Sequence, residues 1–240
     1  MLFVAGWVSA LQGWLDLIGD LAKTRAVFYL ETREKSSARI DRKALTRQDF
    51  SISRIADDLI VAAGSLPVDT KRIVLMGSSL GATAILEAMK QGRLQPHSAF
   101  LIGPNARFRF PWWGSFVVYL PVAAFHPTQI LIRWYLRTFR VDVKREPEQM
   151  QRYDETIKQA EPLRLKLSAQ AVRRYEVWPG LASIERPVAV AYAHSDSLHG
   201  AEEMNRLGKA LPKAVMVPCP SNRFMHSAKL TPKLDEWLAE

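Results

Sequence analysis

The sequence predicts an α/β protein: a mostly parallel, doubly wound sheet of about six strands that carries one helical insertion. Three observations predict it. Short apolar runs alternate with helical patterns along most of the 240 residues. One such run turns through a glycine-flanked serine directly into a helix. Between Arg107 and Gly180 the alternation stops, and aromatics, prolines and a charged helical stretch replace it.

Leu2-Phe3-Val4-Ala5 is an apolar run that ends at Gly6, the first strand. Val8, Leu11, Leu15 and Ile18 then recur at helical spacing up to about Ala22. Arg25 to Leu30 is the second strand, followed by a basic, polar stretch. Ser51 to Leu66 reads as a helix, capped by Ser51 or Ser53, with Ile52, Ile55, Leu59 and Ala63 on one face. Arg72 to Met76 is the third strand, Ala82 to Gln91 the helix after it, and Ser98 to Ile102 the fourth strand, stopped by Gly103-Pro104. Pro187 to Tyr192 is the fifth strand, Ala201 to Leu211 a helix, Ala214 to Val217 the sixth strand, and Pro232 to Ala239 the closing helix. Residues 1–106 and 181–240 therefore form the core and 107–180 the insertion, with no internal repeat.

Composition narrows the class. At 48% hydrophobic and 24% charged residues, the chain buries a sizeable core and is not a disordered chain. A single cysteine, Cys219, excludes a disulfide framework and a multi-cysteine metal site. The net charge of +9 is compatible with nucleic acid, anionic lipid or acidic substrates. Arginines and lysines are scattered rather than packed into a block, which disfavours nucleic acid. No basic residue precedes the apolar N-terminus and no small-residue cleavage site follows it, so no signal peptide is read and a cytoplasmic location is expected. Gln12 and Asp16 interrupt the stretch from Leu2 to Ile18, which favours a buried strand and helix over a membrane anchor.

The strongest local signal is Gly77-Ser78-Ser79-Leu80-Gly81, between an apolar strand and a helix. A strand that reverses into a helix within one residue forces strained backbone angles on Ser79. Side chains two positions to either side would collide, and Gly77 and Gly81 remove them. Ser79 Oγ is thereby presented at the sheet's C-terminal edge beside a helix N-terminus, which favours developing negative charge. The segment lacks the lysine of a phosphate-binding loop, the five histidines are scattered, and Cys219 has no neighbour at metal-ligand spacing, so no cofactor or metal is expected.

On this glycine-flanked elbow and the order of elements around it, the chain resembles the α/β-hydrolase superfamily over essentially its whole length. The resemblance implies the α/β-hydrolase type of sheet, with the first two family strands absent and the insertion forming a lid. It also implies the order nucleophile, acid, histidine along the chain. Ser79 is then the nucleophile. Asp196, just beyond the fifth strand, is the orienting carboxylate, and a helix-capping aspartate is its plain alternative. His226, the one histidine after the last strand, is the general base and then acid. Some members carry the acid after the preceding strand, where this chain has Gly103-Pro104-Asn105 and no carboxylate. The resemblance places two oxyanion donors at the backbone N–H groups of Leu80 and Trp7, with Val8 the fallback for Trp7. The histidine that often precedes the glycine of this loop is replaced by Ala5.

The implied activity is that of a serine hydrolase cleaving a carboxylic ester or thioester through an acyl-enzyme. Trp112 to Leu136 is rich in aromatic and aliphatic residues, with Arg133 and Arg137 beside them, which favours a hydrophobic or lipid-like acyl group and allows peripheral contact with an anionic membrane. Packing of the lid onto the core explains the same residues. Arg107 and Arg109 lie close to the sheet edge, so one of them is a candidate to meet a substrate carboxylate or phosphate. The alternatives are an amide or C–C hydrolase, or a perhydrolase, on the same residues, and a catalytically idle binding or scaffold protein. The oligomeric state is not legible.

Overall fold

The computed structural model describes residues 1–40, 45–108, 112–141, 143, 147–194 and 201–240, with the side chains of Ser115, Phe125, His126, Arg140, Gln159 and Ala201 excepted. Six strands, β1 (Leu2–Val4), β2 (Phe28–Leu30), β3 (Val74–Ser78), β4 (Ser98–Ile102), β5 (Val188–Ala193) and β6 (Ala214–Cys219), form one sheet in the order β2-β1-β3-β4-β5-β6. Every neighbouring pair is parallel. An all-parallel sheet must be covered on both faces. Leu2, Val4, Leu75, Leu101, Val188 and Val190 point to one side and pack with Leu59, Ala63, Ile85 and Leu207. Phe3, Met76, Phe100, Ala189 and Ala191 point to the other and pack with Trp14, Leu17, Leu21, Leu234 and Trp237.

Three of the helices that cover the sheet are α1 (Leu15–Leu21), α2 (Ile52–Gly64) and α3 (Leu80–Lys90). Between β4 and β5 the chain is helical: α4 (Gly114–Val117), α5 (Phe125–Tyr135) running into a π turn at Leu136–Arg140, α6 (Pro147–Gln159) and α7 (Pro162–Val172). Its base is closed by an antiparallel bridge between Arg107 and Glu176 and by the Val177 N–H on Ala106 O at 2.9 Å. The helices α8 (Ala201–Ala210), α9 (Asn222–Met225) and α10 (Thr231–Ala239) complete the chain. No helix among the described residues is long and apolar enough to cross a membrane.

Several expected bounds move for identifiable reasons. The first helix was expected from Val8 on a Val8, Leu11, Leu15, Ile18 face. The structure instead has a 3-10 turn at Leu11–Trp14 before α1, and its buried face is Trp14, Leu17 and Leu21 while Leu15 is 53% exposed. Trp14 sets the phase because its ring is the largest group available to cover Phe3, 4.9 Å away between centroids. In α2 the expected face holds: Ile52, Ile55, Leu59 and Ala63 are buried and Ser51 caps the helix by accepting from the Arg54 N–H. Strand β6 runs on through Pro218 to Cys219. Proline lacks an N–H, but β6 is an edge strand paired only with β5, so no ladder donor is lost on its outer side.

Candidate functional site

Ser79 stands between the end of β3 and the start of α3 with φ 49° and ψ −115°. A positive φ on a residue with a Cβ costs about 1–3 kcal/mol, and the surrounding structure must hold it. Two backbone bonds do so: the Ser79 N–H donates to Ile102 O at 2.9 Å, and Ser79 O accepts from the Thr83 N–H at 3.0 Å. The flanking glycines are sterically required. A Cβ on Gly81 would lie 2.1 Å from Val4 O, and one on Gly77 would lie 2.9 Å from the Ala82 nitrogen. The helix N-terminus thus sits against the end of β1, and the Ser79 side chain faces the loop that leaves β1.

That loop is Gly6-Trp7-Val8. Val8 also has a positive φ, 52°, which is an outlier for a β-branched residue. Its N–H donates to Glu34 Oε1 at 3.2 Å, and the same oxygen accepts from the Thr32 hydroxyl at 2.7 Å. Glu34 is fully buried. The Val8 N–H, expected as the fallback oxyanion donor, is therefore committed to a carboxylate. The Trp7 indole Nε1 donates to Ser168 Oγ of α7 at 2.9 Å, which fixes the loop to the insertion. Leu80 is the first residue of α3, so its N–H belongs to the first turn, which has no intrahelical acceptor.

His226 follows α9, whose N-cap Ser221 accepts from the Phe224 N–H at 3.1 Å. The imidazole stacks on Trp14 with centroids 4.1 Å apart and planes 28° apart. Trp14 is itself held by its Nε1 donating to Ser9 Oγ at 2.9 Å. His226 Nδ1 lies 2.9 Å from Asn222 O. A carbonyl only accepts, so Nδ1 is the donor in this contact. The Asn222 side chain accepts from Arg152 Nη2 of α6 at 2.7 Å, which ties the insertion to the histidine loop.

Ser79, Trp7 and His226 line one cavity of about 360 Å³. Its roof comes from the insertion: Val117, Val118, Ile132, Leu136, Ile157 and Leu165. Lys166 is the one lysine, arginine, aspartate or glutamate among the described lining residues. The Ser79 hydroxyl oxygen accepts from Asn105 Nδ2 at 2.6 Å. No hydrogen bond joins the Ser79 and His226 side chains.

Asp196, the expected carboxylate, and Arg109 lie outside the described residues. Arg107 turns to Glu203, 3.4 Å away, and does not line the cavity, so the expected anion contact is not made there. Arg133 and Arg137 both reach Asp154, at 2.7 and 3.5 Å. Cys219 is buried and its thiol is pushed up to about 11 by burial, which keeps it from acting as a second nucleophile. No group of three or more metal-ligating side chains occurs among the described residues. Sequence reasoning passed over Asn105, Trp14 and Glu34. For Asn105 the only available signal was its position one strand from the elbow; for the others there was none.

No protein-family model and no curated protein matches the chain. Solved structures do. An esterase from Thermogutta terrifontis superimposes with a TM-score of 0.81 at 20% identity, over 99% of this chain and 88% of that one. A hydrolase from Oleispira antarctica gives 0.82 at 16% identity, over 100% and 90%. An enol-lactonase from Burkholderia xenovorans gives 0.80 at 17%, over 100% and 91%. At such identities the likeness establishes the fold.

Proposed function

The chain has the α/β-hydrolase fold, and we propose that it is a serine hydrolase cleaving a carboxylic ester or thioester through an acyl-enzyme. The observation that carries this reading is Ser79, held at φ 49° on a strand–helix elbow and opening into the cavity that His226 also lines. A serine in that geometry is costly to hold for structural reasons alone.

In the proposed reaction the substrate carbonyl enters the cavity with its oxygen toward the N–H groups of Leu80 and Trp7. Ser79 Oγ attacks the carbonyl carbon while its proton passes to His226 Nε2. The tetrahedral oxyanion is stabilised by those two donors and by the N-terminus of α3. His226 then protonates the leaving alkoxide or thiolate, the acyl group stays on Ser79, and water repeats the sequence in reverse roles. The Asn222 carbonyl holds the imidazole tautomer, and the indole of Trp14 forms a face against the imidazolium. Asp196 is the orienting carboxylate in this reading, and it would share the Nδ1 proton that the Asn222 carbonyl accepts. The neighbours named as an esterase, a hydrolase and an enol-lactonase support acyl transfer to water. The apolar roof supports a hydrophobic acyl group, and residues 107–180 are read as a lid.

A fluorophosphonate probe tests the reading. It should label the protein and fail on Ser79→Ala, and p-nitrophenyl esters should be turned over. Ser79→Ala and His226→Ala should each cost on the order of 10³-fold or more, with little added by combining them. A folded protein that is not labelled would leave the binding-protein alternative.

One further feature favours membrane contact. Among the described residues, Trp112 (79%), Phe116 (70%), Ile130 (71%), Trp134 (53%) and Phe139 (60%) of the insertion are large, apolar and exposed, whereas the core has Val61 (69%) and Leu15 (53%) at separate places in the chain. The same helices turn Val117, Ile132 and Leu136 into the cavity, so they are apolar on both sides. Such helices need cover outside as well as inside. An anionic lipid surface fits a chain of charge +9. Sedimentation with phosphatidylglycerol vesicles, compared with phosphatidylcholine vesicles, tests it, and Trp112→Ser with Trp134→Ser should abolish the binding.

A further inference from the structure

We propose that Asn105 is an additional catalytic residue, whose side-chain amide stabilises the Ser79 oxygen as it loses its proton. This rests on the serine-hydrolase reading above. Asn105 follows the end of β4, next to the elbow strand, and its Nδ2 donates to Ser79 Oγ at 2.6 Å.

The contact is built rather than incidental. Thr83, fully buried in the first turn of α3, holds the Asn105 backbone from both sides. The Asn105 N–H donates to Thr83 Oγ1 at 3.0 Å, and Thr83 Oγ1 lies 2.9 Å from Asn105 O and 3.0 Å from Ser79 O. One hydroxyl therefore fastens the loop carrying Asn105 to the helix whose N-cap is the nucleophile. Gly103, at φ 49°, makes the preceding bend, with its N–H on Ala191 O at 2.9 Å. The clip fixes the Asn105 backbone beside the elbow, within reach of the Ser79 hydroxyl for the side-chain amide.

The chemistry follows from the acceptor. A serine hydroxyl oxygen can accept the Asn105 N–H and still donate its own proton to His226. As the O–H bond breaks and that proton moves to Nε2, charge grows on Oγ. A hydrogen bond to a charged oxygen is about twice as strong as one to a neutral oxygen. Once the new Oγ–carbonyl bond forms, Oγ is an ester oxygen and a weak acceptor, so the bond helps most during attack. The amide keeps its protons throughout. A carboxylate at this position would repel the developing alkoxide, so the neutral donor suits the place next to the nucleophile.

The test compares three variants with wild type by fluorophosphonate labelling rate and by ester turnover, with melting temperature as the folding control. Asn105→Ala is expected to slow labelling and lower kcat by about 10- to 100-fold, with KM within about threefold. Asn105→Asp keeps the shape and removes the donor, so it should be at least as slow. Thr83→Val, which keeps the volume and loses the clip, should fall between wild type and Asn105→Ala. Asn105→Asp labelling within about threefold of wild type would overturn the proposal, as would an Asn105→Ala loss confined to KM. Failure of wild type itself to label would instead count against the serine-hydrolase reading.

Discussion

Replacing Gly81 with alanine adds one methyl group where the structure has no room for it. The new Cβ would lie 2.1 Å from Val4 O, 2.6 Å from Ala5 O and 2.6 Å from the Val4 carbonyl carbon. Ordinary contacts between heavy atoms lie near 3.5 Å, so the wall must retreat by more than ~1 Å. That wall is backbone at the end of β1, which is bonded to β2 on one side and β3 on the other, and it cannot rotate aside as a side chain would. Overpacking of a core usually costs about 1–3 kcal/mol, and a backbone wall puts Gly81→Ala at ~3 kcal/mol or beyond. For a chain of this length that lowers Tm by roughly 6–12 °C. Displacement of β1 also moves Gly6 and Trp7, so probe labelling should fall by more than the folded fraction does. The same substitution at Gly19 or Gly64 is the internal control. Neither has an atom within 4 Å of the added Cβ, and both lie in helices. There the lower entropy of the unfolded chain should stabilise by about 0.5–1 kcal/mol. Differential scanning calorimetry reads all three. A Gly81→Ala protein melting within 2 °C of wild type and labelling at the normal rate would refute the steric argument for the elbow.

Other perturbations have equally defined directions. Burial pushes the Glu87 carboxyl up, but Lys90 at 2.8 Å, the Tyr175 hydroxyl and Gln91 outweigh it and hold it below the usual glutamate value. A lowered folded value contributes stability above the unfolded pKa of about 4.3 and loses it as pH falls through the folded value. Urea midpoints of wild type should therefore drop between pH 6 and pH 3 by more than those of Glu87→Gln. Glu34→Ala leaves the Val8 N–H and the Thr32 hydroxyl buried without their acceptor. It should destabilise by about 1–3 kcal/mol and reduce kcat more than it raises KM. Asp196→Asn should cost less than His226→Ala in steady-state turnover, because the Asn222 carbonyl already fixes the imidazole tautomer.

The sheet and the elbow at Ser79 were legible because each is written in adjacent residues. Buried parallel strands show as apolar runs such as Ser98 to Ile102, and the elbow as two glycines at fixed offsets from Ser79. The phase of the first helix was not, since Leu11 and Leu15 match the helical period as well as Trp14 and Leu17 do. Only the tertiary contact of Trp14 with Phe3 decides between them. Strand β6 was cut short at Val217 because Pro218 reads as a breaker until the strand is known to be an edge. Glu34, Thr83 and Asn105 carry no local pattern at all. Their partners are 26 residues away for Glu34 and 22 for Thr83 with Asn105, and only the crossovers of a parallel sheet bring them together.

These distant contacts converge on one small volume, where the end of β1 meets the start of α3. Among the described residues, both non-glycine residues with positive φ are there, Val8 and Ser79, together with the two glycines whose added Cβ would lie closest to backbone atoms, Gly81 and Gly77. Each strained residue is restrained by a buried polar side chain: Val8 by Glu34, 26 residues away, and the elbow by Thr83 in the first turn of its own helix. Trp7 precedes one of these residues and Leu80 follows the other, so relaxation of either would move one of the proposed oxyanion donors. Stabilising substitutions at Val8 should for this reason trade against turnover. Val8→Gly relieves a β-branched residue of its positive φ, yet frees the loop whose position Glu34 holds, and it should lower kcat even where it does not lower Tm.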